Sequence, residues 1–370
     1  MTTKTAEQIS SHFRKLVSSD AKIRSAYLLV HSDRNGFHLN LAEGETETGS
    51  GSIVQSHPEQ PVYTASVGKL FTAVLVAMLF EQGKLSFEDR IADHLDADLM
   101  DGLHVFKGKD YSEQIQVKHL LNHTSGLHDF WEDKPAEGKG MLERLLEQPD
   151  RNWTPREIVT WSKGNLKSHF TPGEGFHYSD TGYHLLGLII ESAAGMPFQT
   201  ALSQFIFEPL GMKHAFLLGY SQPEEDSSHP IAGVYIGDTN VINYQAMSVD
   251  YAGGGVTAPL EDLLIFMQAL VQGQVLEART IDLMDDCAKF SLGIDYGYGM
   301  MKIRTVPLIM PGKFNCWGNA GASGAFMFYH PGLDTTLIGC LNQFGYHTKG
   351  IRFMFRVIDI LTKTLPDGQR

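Results

Sequence analysis

Apolar residues follow two different spacings along the chain, and these spacings predict the order of its elements. Ser25–Val30 and Phe37–Leu41 are short runs typical of strands, and Asp33–Gly36 between them ends in Asn-Gly, which favours a tight hairpin. The segment from Ser66 to Gln82 is mostly apolar over a helical length, and Gly83 follows as a helix-ending residue. We therefore expect an early antiparallel hairpin and then a helix that is buried on most sides.

The middle of the chain has mainly helical spacing, whereas the last third returns to strand-like runs. Helices are expected at Val117–Asn122, Met141–Glu147, Pro155–Ser162, Asp180–Ala194 and Pro197–Phe207. Strands are expected at Gly297–Ile303, Ala325–Tyr329 and Thr335–Leu341, with a turn at Pro331-Gly332 and a last helix from Gly350 to Thr364. Glu43–Ser52, rich in Gly, Ser, Thr and Glu, is expected to be a loop.

Strands near both ends of the chain with helices between them indicate a mixed α/β protein of the α+β type. We expect an antiparallel β-sheet flanked by helices, built from both chain termini, with an inserted mainly helical subdomain. Residues 1–65 and 240–370 are assigned to the subdomain that contains the sheet. Residues 66–239 are assigned to the helical subdomain.

Composition and charge narrow the classes of partner. Hydrophobic residues make up 42% of the 370 residues, which is enough apolar surface for a large folded core. Lys and Arg number 30 against 43 Asp and Glu, and the formal net charge of −13 repels phosphate backbones and anionic lipid surfaces. We expect neither nucleic acid nor a membrane as a partner.

The cysteines and the first residues suggest the compartment. Cys287, Cys316 and Cys340 show no paired spacing of a zinc site or a disulfide framework, which fits a reducing environment. Met1–Asp20 carries charges throughout and indicates an amphipathic helix rather than a signal peptide. The longest apolar run, Leu70–Phe80, has 11 residues and is too short to span a bilayer. We expect a cytoplasmic protein.

The sharpest chemical signal is Ser66-Val67-Gly68-Lys69 at the start of the apolar helix. Two residues three positions apart lie on one helical face, so the Lys69 amine can reach the Ser66 hydroxyl. A serine in the first turn is also close to free backbone N–H groups and the positive end of the helix dipole, which stabilise a developing oxyanion. Burial would lower the pKa of Lys69 and let it take a proton. This pattern is typical of an activated nucleophile.

Two further segments carry weaker signals of their own. Tyr178-Ser179-Asp180 follows a turn-rich loop and precedes a helix, and a tyrosine beside a cation can become a phenolate and act as a base. Trp317–Gly324 is rich in small residues and leads into a strand, where a ligand can approach the backbone closely or the sheet can turn a tight corner.

These three segments resemble motifs of the serine β-lactamase and penicillin-binding family, in particular its class C β-lactamase, D-peptidase and esterase branch. The resemblance covers about residues 20 to 360, because similar segments occur in the same order at Leu120–Leu127, Phe170–Gly173, Tyr183–Gly187 and Gly253–Gly255. It implies a β-lactamase/transpeptidase-like fold with the active site at the interface of the two subdomains.

The resemblance also implies residue roles. Ser66 would be the acylated nucleophile, Lys69 its activating neighbour, and Tyr178 the residue that takes the Ser66 proton and returns it to the leaving group. The oxyanion hole would consist of the backbone N–H groups of Ser66 and Ala322, the residue after Asn319-Ala320-Gly321 in the third motif. No metal and no organic cofactor is implied.

Two departures from the family pattern bear on the substrate. Asp180 stands where the family commonly has Asn, and a carboxylate only accepts hydrogen bonds, so it could hold Lys69 as a cation or bind a substrate amine. Asn319-Ala320 replaces a Lys or His followed by Thr, which removes the expected anchor for a substrate carboxylate. Asp180, Asn319, Ala320, Gly321 and His177 are the candidate substrate-binding residues. β-Lactams and D-Ala-D-Ala termini are therefore expected to be weak substrates.

The sequence favours a serine hydrolase that forms an acyl-enzyme with a small ester, amide or short peptide, as an esterase or a D-amino-acid peptidase or amidase does. The alternatives are a true β-lactamase or D-Ala-D-Ala carboxypeptidase, and a catalytically weak ligand-binding or sensing module with the same fold. A zinc site at His119, His123 and His128 is a weaker alternative, because the Glu of the H-E-x-x-H pattern is absent.

Overall fold

The structure is a computed structural model that describes residues 3–48 and 51–364. Within these ranges the α-helices are α1 (Thr3–Ser18), α2 (Gly68–Glu81), α3 (Ala97–Met100), α4 (Val117–Leu121), α5 (Met141–Glu147), α6 (Pro155–Asn165), α7 (Asp180–Ala194), α8 (Phe198–Leu202), α9 (Glu208–Leu210), α10 (Tyr251–Gly254), α11 (Leu260–Val271), α12 (Ala278–Leu283) and α13 (His347–Thr364). The strands are β1 (Ser25–Ser32), β2 (Phe37–Glu47), β3 (Ile53–Gln55), β4 (Val62–Tyr63), β5 (Val105–Phe106), β6 (Lys109–Asp110), β7 (Phe216–Leu217), β8 (Tyr235–Ile236), β9 (Thr239–Asn240), β10 (Val256–Ala258), β11 (Ala288–Ser291), β12 (Ile294–Tyr296), β13 (Met301–Ile303), β14 (Cys316–Ala320), β15 (Phe326–His330) and β16 (Thr335–Cys340).

A nine-stranded antiparallel sheet joins the two ends of the chain. Its strand order is β11-β12-β13-β14-β15-β16-β1-β2-β3, so the strands nearest the N-terminus lie beside those nearest the C-terminus. The seam is the pairing of β1 with β16, in which Leu29 lies opposite Ile338. The predicted fold class, an antiparallel sheet built from both termini with helices around it, is confirmed.

Helices cover both faces of this sheet, and strand β1 shows why. Alternate side chains of β1 point to opposite faces. Leu28 packs with Phe13 of α1 and Met354 of α13, whereas Leu29 belongs to a second core that also contains Phe266 of α11. Because helices cover both faces, β1 is buried almost throughout, and its central residues, Ala26–Val30, are apolar or aromatic.

Short-range sequence patterns predicted several elements at or near their observed positions. Helix α2 is buried along nearly its whole length, as expected, and Gly83 has a φ of 68° just beyond its end, a backbone conformation that glycine adopts without strain. The turn before β2 is closed by a hydrogen bond from Gly36 N to Asp33 O at 3.0 Å. The segment expected to be helical over Pro197–Phe207 is α8 followed by a π-helical turn at Ser203–Phe207.

The prediction of a loop over Glu43–Ser52 is wrong in its first half. Strand β2 continues to Glu47, because its backbone pairs with β1 on one side and with β3 on the other; Ala26 lies opposite Glu43, for example. This polar stretch therefore forms a strand because β1 pairs with β2 up to Gly44 and β3 pairs with Glu45–Glu47. Gly49 and Ser50 of that loop, and Met1 and Thr2 of the first predicted helix, lie outside the described residues.

The region of the predicted strand Gly297–Ile303 also differs. Only its end, β13, is extended, and two strands that were not expected, β11 and β12, complete this edge of the sheet.

The division of the chain into residues 1–65 with 240–370 and residues 66–239 stays a prediction. Among the described helices, none is long and apolar enough to cross a membrane singly; only Asp180–Ala194 taken with Phe198–Leu210 satisfies those criteria, as a pair bent by 75°.

Candidate active site

The candidate nucleophile lies in a tight turn directly before a buried helix. Ala65–Val67 form a single 3₁₀ turn, and α2 begins at Gly68. Ala65 has a φ of 48°, a left-handed conformation that costs a residue with a Cβ about 1 kcal/mol or more. Ser66 remains partly exposed although both of its chain neighbours are buried. The strained turn therefore presents one hydroxyl at the surface.

Lys69 is fully buried, and its ammonium group has three partners inside the protein. Nζ lies 3.3 Å from Ser66 Oγ, donates to the carbonyl oxygen of Gly253 at 2.6 Å, and forms an ion pair with Asp180. A buried charge is costly unless it is paired and hydrogen-bonded, and here both conditions are met. The structure thus brings together Ser66, Lys69 and Asp180.

Tyr178 lies immediately before α7 and faces the same group of atoms. Lys69 Nζ is 4.9 Å from the centre of its ring. Burial, followed by the nearby Asp180 carboxylate, raises the pKa of Tyr178 well above its usual range, and hydrogen bonding to Ser66 and to Tyr296 offsets this only in part. Tyr178 is therefore a neutral phenol near neutral pH, because burial and the Asp180 carboxylate both disfavour the phenolate.

A second buried carboxyl group supports the start of α7. Asp129 is fully buried and accepts a hydrogen bond from Asp180 N at 2.7 Å. Burial, and then the charge of Asp180, raise the pKa of Asp129 well above its usual range. Burial likewise raises the pKa of Asp180, while Lys69 acts in the opposite direction. Sequence reasoning missed Asp129, since nothing in Leu120–Leu127 or the residues after it marks the contact.

The end of β14 closely approaches the Ser66 turn from the other side. A Cβ atom on Gly321 would lie 2.7 Å from the Thr64 carbonyl oxygen and 3.1 Å from Ser66 N, so only glycine fits here. Ala322, the next residue, is half-buried. Within the described ranges neither Ser66 N–H nor Ala322 N–H donates a hydrogen bond to the protein. Two free N–H groups thus lie on adjoining segments beside the hydroxyl.

The predicted substrate-binding role of Asn319 is not what its side chain does here. Asn319 is fully buried, and its amide nitrogen donates to the Tyr296 hydroxyl at 3.1 Å and to the Gly299 carbonyl oxygen at 2.8 Å. Its amide oxygen accepts from Ala320 N at 2.8 Å. Both amide hydrogens are therefore used within the protein, and Ala320 is itself buried.

A third buried carboxylate, which the sequence did not single out, lies close to the Ser66 turn. Asp250 is 6% exposed, and Trp131 Nε1 donates to its Oδ1 at 3.0 Å. A Cβ atom on Gly254 would lie 2.8 Å from Asp250 Oδ2 and 2.9 Å from the carbonyl oxygen of Ala65, which places the carboxylate close to the turn. Burial raises the pKa of Asp250 to about 7.

The histidines near the candidate site differ in their hydrogen-bond partners: His177 contacts a carboxylate, whereas His119 and His123 accept from backbone N–H groups. His177 lies in a partly exposed position, where its Nε2 is 3.1 Å from Asp133 Oδ2. His119 Nδ1 accepts from Gln116 N and His123 Nδ1 accepts from Ser179 N, each at 3.1 Å. In the part of the chain that the structure describes, the side-chain groups close enough to share a metal ion do not include His119, His123 and His128, the zinc site weighed above as a weaker alternative.

Fold and site together define a class: a large antiparallel sheet with helices, a Ser-x-x-Lys pair at the start of a buried helix, and a tyrosine beside it. The sequence from residue 13 to residue 355 matches the model of the family described as Beta-lactamase. The chain belongs to this family, which confirms the resemblance inferred from the motifs.

Comparison with individual proteins gives the same picture. Penicillin-binding protein 4* of Bacillus subtilis (strain 168) is 29% identical over 257 residues, which cover 64% of this chain and 51% of that protein. The chain thus spans about half the length of this curated relative. The crystal structure of a D-stereospecific amidohydrolase from Streptomyces sp. aligns with a TM-score of 0.75 at 24% identity, covering 93% of this chain and 97% of that one. The D-amino acid amidase of Ochrobactrum anthropi SV3 aligns with a TM-score of 0.77 at 20% identity, covering 98% and 99%.

Proposed function

We propose that this protein is a serine hydrolase that cleaves a small ester or amide through an acyl-enzyme formed on Ser66. The observation that carries the proposal is the 3.3 Å contact between Ser66 Oγ and a fully buried Lys69. Attack by Ser66 on the substrate carbonyl forms a tetrahedral oxyanion, which the N–H groups of Ser66 and Ala322 stabilise. Collapse expels an alcohol or amine, and water then releases the acid.

The proton path follows from the charges around Ser66. Asp180 can hold a proton, because burial raises its pKa, so the ion pair with Lys69 can rearrange into two neutral groups without a change in net charge. The neutral amine then takes the Ser66 proton. Tyr178, a neutral phenol, donates its proton to the leaving group and regains one from Lys69. One proton thus passes from Ser66 to the product, and the pair returns to its resting state.

The groups beside the nucleophile favour a substrate that carries both an amine and an apolar group. Asp250 offers a nearly buried carboxylate near the Ser66 turn, and an ammonium group would compensate its charge. Phe290 is 38% exposed, and the centre of its ring lies 5.1 Å from that of Phe176 and 6.4 Å from that of Tyr178. These rings provide an apolar rim beside the nucleophile. An amide or ester of an amino acid with an apolar side chain meets both requirements, in keeping with the amidases of similar fold.

The same geometry makes β-lactams and D-Ala-D-Ala peptides poor substrates. Both carry a carboxylate, and Asn319 has no free amide hydrogen with which to bind it. In the resting ion pair with Lys69, Asp180 is a carboxylate, which accepts hydrogen bonds and does not donate to an amide carbonyl. We expect hydrolysis of nitrocefin to be at least about 100-fold slower in kcat/KM than hydrolysis of an amino acid amide; comparable values would contradict this account.

The first test of the proposed function uses a short-chain p-nitrophenyl ester, which needs little protonation of its leaving group. Ser66→Ala should abolish hydrolysis, and mass spectrometry of the wild type should detect an acyl group on Ser66. Ser18→Ala, at an exposed position at the end of α1, is the matched control and should retain full activity. Equal rates in the wild type and Ser66→Ala would overturn the proposal and favour the ligand-binding module instead.

The substrate class has its own test. Asp250→Asn should lower kcat/KM for an amino acid amide at least about tenfold more than for a p-nitrophenyl ester without an amine, because only the first substrate loses a charged partner. Equal losses on both substrates would show that Asp250 does not recognise the amine.

We further propose a cytoplasmic location and a small-molecule substrate as the partner, as expected from the charge and the cysteines.

A further inference from the structure

One carboxylate and two imidazoles converge on a single point beside the candidate active site. His169 Nε2 lies 2.8 Å from Asp133 Oδ2, and His177 Nε2 lies 3.1 Å from the same oxygen. The two imidazole rings stack, with their centres 3.5 Å apart. The three ligand-type atoms all lie within 4.8 Å of one another. Asp133 comes from the loop after α4, and both histidines come from the loop before α7.

These separations fit a metal centre. Ligand atoms about 2.0 Å from a tetrahedral Zn²⁺ lie about 3.3 Å from each other, close to the separations of 2.8 Å and 3.1 Å given above. Two histidines and one carboxylate are a common ligand set for zinc and for other divalent first-row metals, with a further position for water. The side chains are 18%, 36% and 25% exposed for Asp133, His169 and His177, so an ion can enter from solvent. Asp133 Oδ2 also accepts from Asp129 N at 2.8 Å, which fixes the orientation of the carboxylate.

We propose that Asp133, His169 and His177 bind a divalent transition metal ion, with Zn²⁺ as the fitting ion. The ion would tie the loop after α4 to the loop that ends in Tyr178, since His177 directly precedes that tyrosine. Its role is to hold the position of Tyr178; it takes no part in the reaction. This inference does not rest on the proposed function, because it would hold equally in a protein that only binds its ligand.

A second group of similar composition provides an internal comparison. His57, Glu59 and His229 also lie within reach of a shared ion. Their contacts are longer, at 3.9 Å from His57 Nδ1 and 3.6 Å from His229 Nε2 to Glu59 Oε2, and the Glu59 side chain is 66% exposed. A flexible, exposed carboxylate loses more side-chain entropy when a metal ion fixes it. We therefore expect this group to bind a metal ion more weakly than Asp133, His169 and His177.

The test is titration of the full chain, freed of metal by a chelator, with Co²⁺. Cobalt replaces zinc and gives a visible absorption band whose intensity reports four- or five-coordinate binding. The wild type should bind one tight equivalent, His169→Ala should weaken binding by at least about 100-fold, and His57→Ala should leave the spectrum unchanged. Zn²⁺ in excess should displace Co²⁺ and raise the melting temperature of the wild type by about 4 °C.

Each outcome decides the question. A band lost in His57→Ala but kept in His169→Ala would assign the metal to the other group and overturn the proposal, as would the absence of any tight equivalent. If His169→Ala does not fold, Asp133→Asn, which keeps the size and shape of the side chain, takes its place with the same expected loss. Ser66→Ala should bind Co²⁺ as the wild type does, so failure of the metal site and failure of the hydrolase proposal remain distinguishable.

Discussion

Asp250 should make the protein less stable as the pH rises, and Asp250→Asn should remove this effect. The carboxyl is nearly buried, and one side-chain donor, Trp131 Nε1, binds it. Burial disfavours the charged form and raises the pKa of Asp250 to about 7, against about 3.9 in an unfolded chain. The folded state therefore keeps a proton that the unfolded state has already lost.

The sign and the size of the effect follow from this difference. A group whose pKa is higher in the folded state contributes stability below its unfolded pKa, near pH 4, and this contribution is lost as the pH rises to about 7. Each pH unit between pH 5 and pH 7 removes about 1.4 kcal/mol of unfolding free energy, or about 3 kcal/mol in total. Asparagine is neutral throughout and keeps an oxygen that can accept from Trp131.

The assay is urea unfolding of the wild type and Asp250→Asn at pH 5 and pH 8. The two proteins should be within about 1 kcal/mol of each other at pH 5, whereas the variant should be about 3 kcal/mol more stable at pH 8. Asp282→Asn, at an exposed position of α12, is the control and should show the same difference at both pH values. A pH-independent difference for Asp250→Asn would refute the reasoning. The predicted outcome also links stability to function, because a carboxylate kept at such a cost is typical of a binding site.

Three further changes test the site from other directions. Gly321→Ala should lower kcat for ester hydrolysis by at least about 100-fold with little change in the far-ultraviolet circular dichroism spectrum, because its Cβ would displace Thr64 and misplace one oxyanion donor. Lys69→Met should abolish activity and lower the unfolding free energy by about 3 to 5 kcal/mol in urea, since it leaves Asp180 buried without its cation; a smaller loss would mean that the pair is dispensable. Tyr178→Phe should lower kcat by about 100- to 10,000-fold in steady-state assays, with a smaller loss for esters with good leaving groups than for amides.

The sequence predicted those elements that depend on a few neighbouring residues. It predicted less well the strands whose position depends on pairing with distant segments. Gly83 ends α2 and Asn35-Gly36 turns the first hairpin, and both depend on a few neighbouring residues. Strands β11 and β12 were missed because they lie at an edge, where exposed positions need not be apolar. β12 pairs with β13 and β11 pairs with β12, and a sequence does not reveal which segment a polar strand pairs with.

The candidate site likewise contains contacts that the local sequence predicts and contacts that depend on distant segments. Ser66 and Lys69 are neighbours along one helix start, so their spacing alone predicted the contact. The carbonyl of Gly253 and the carboxyl of Asp250 approach from a segment more than a hundred residues away, and a backbone carbonyl leaves no mark on the sequence. Gly253–Gly255 was noticed as similar to a family segment, and its close approach to Lys69 now supplies the physical reason for small residues there.

The two departures from the family pattern act together on the charge around the nucleophile. At position 180 a carboxylate replaces an amide and compensates the charge of Lys69. At position 319 an amide replaces a cation and uses its hydrogens inside the protein. Relative to the family pattern, both changes make the charge around the nucleophile more negative, and Asp250, next to the Ser66 turn, accepts from the neutral Trp131 Nε1. We propose that a site with this balance repels an anionic acyl group and attracts a cationic one, so that the same two departures would disfavour a penicillin carboxylate and favour an amine.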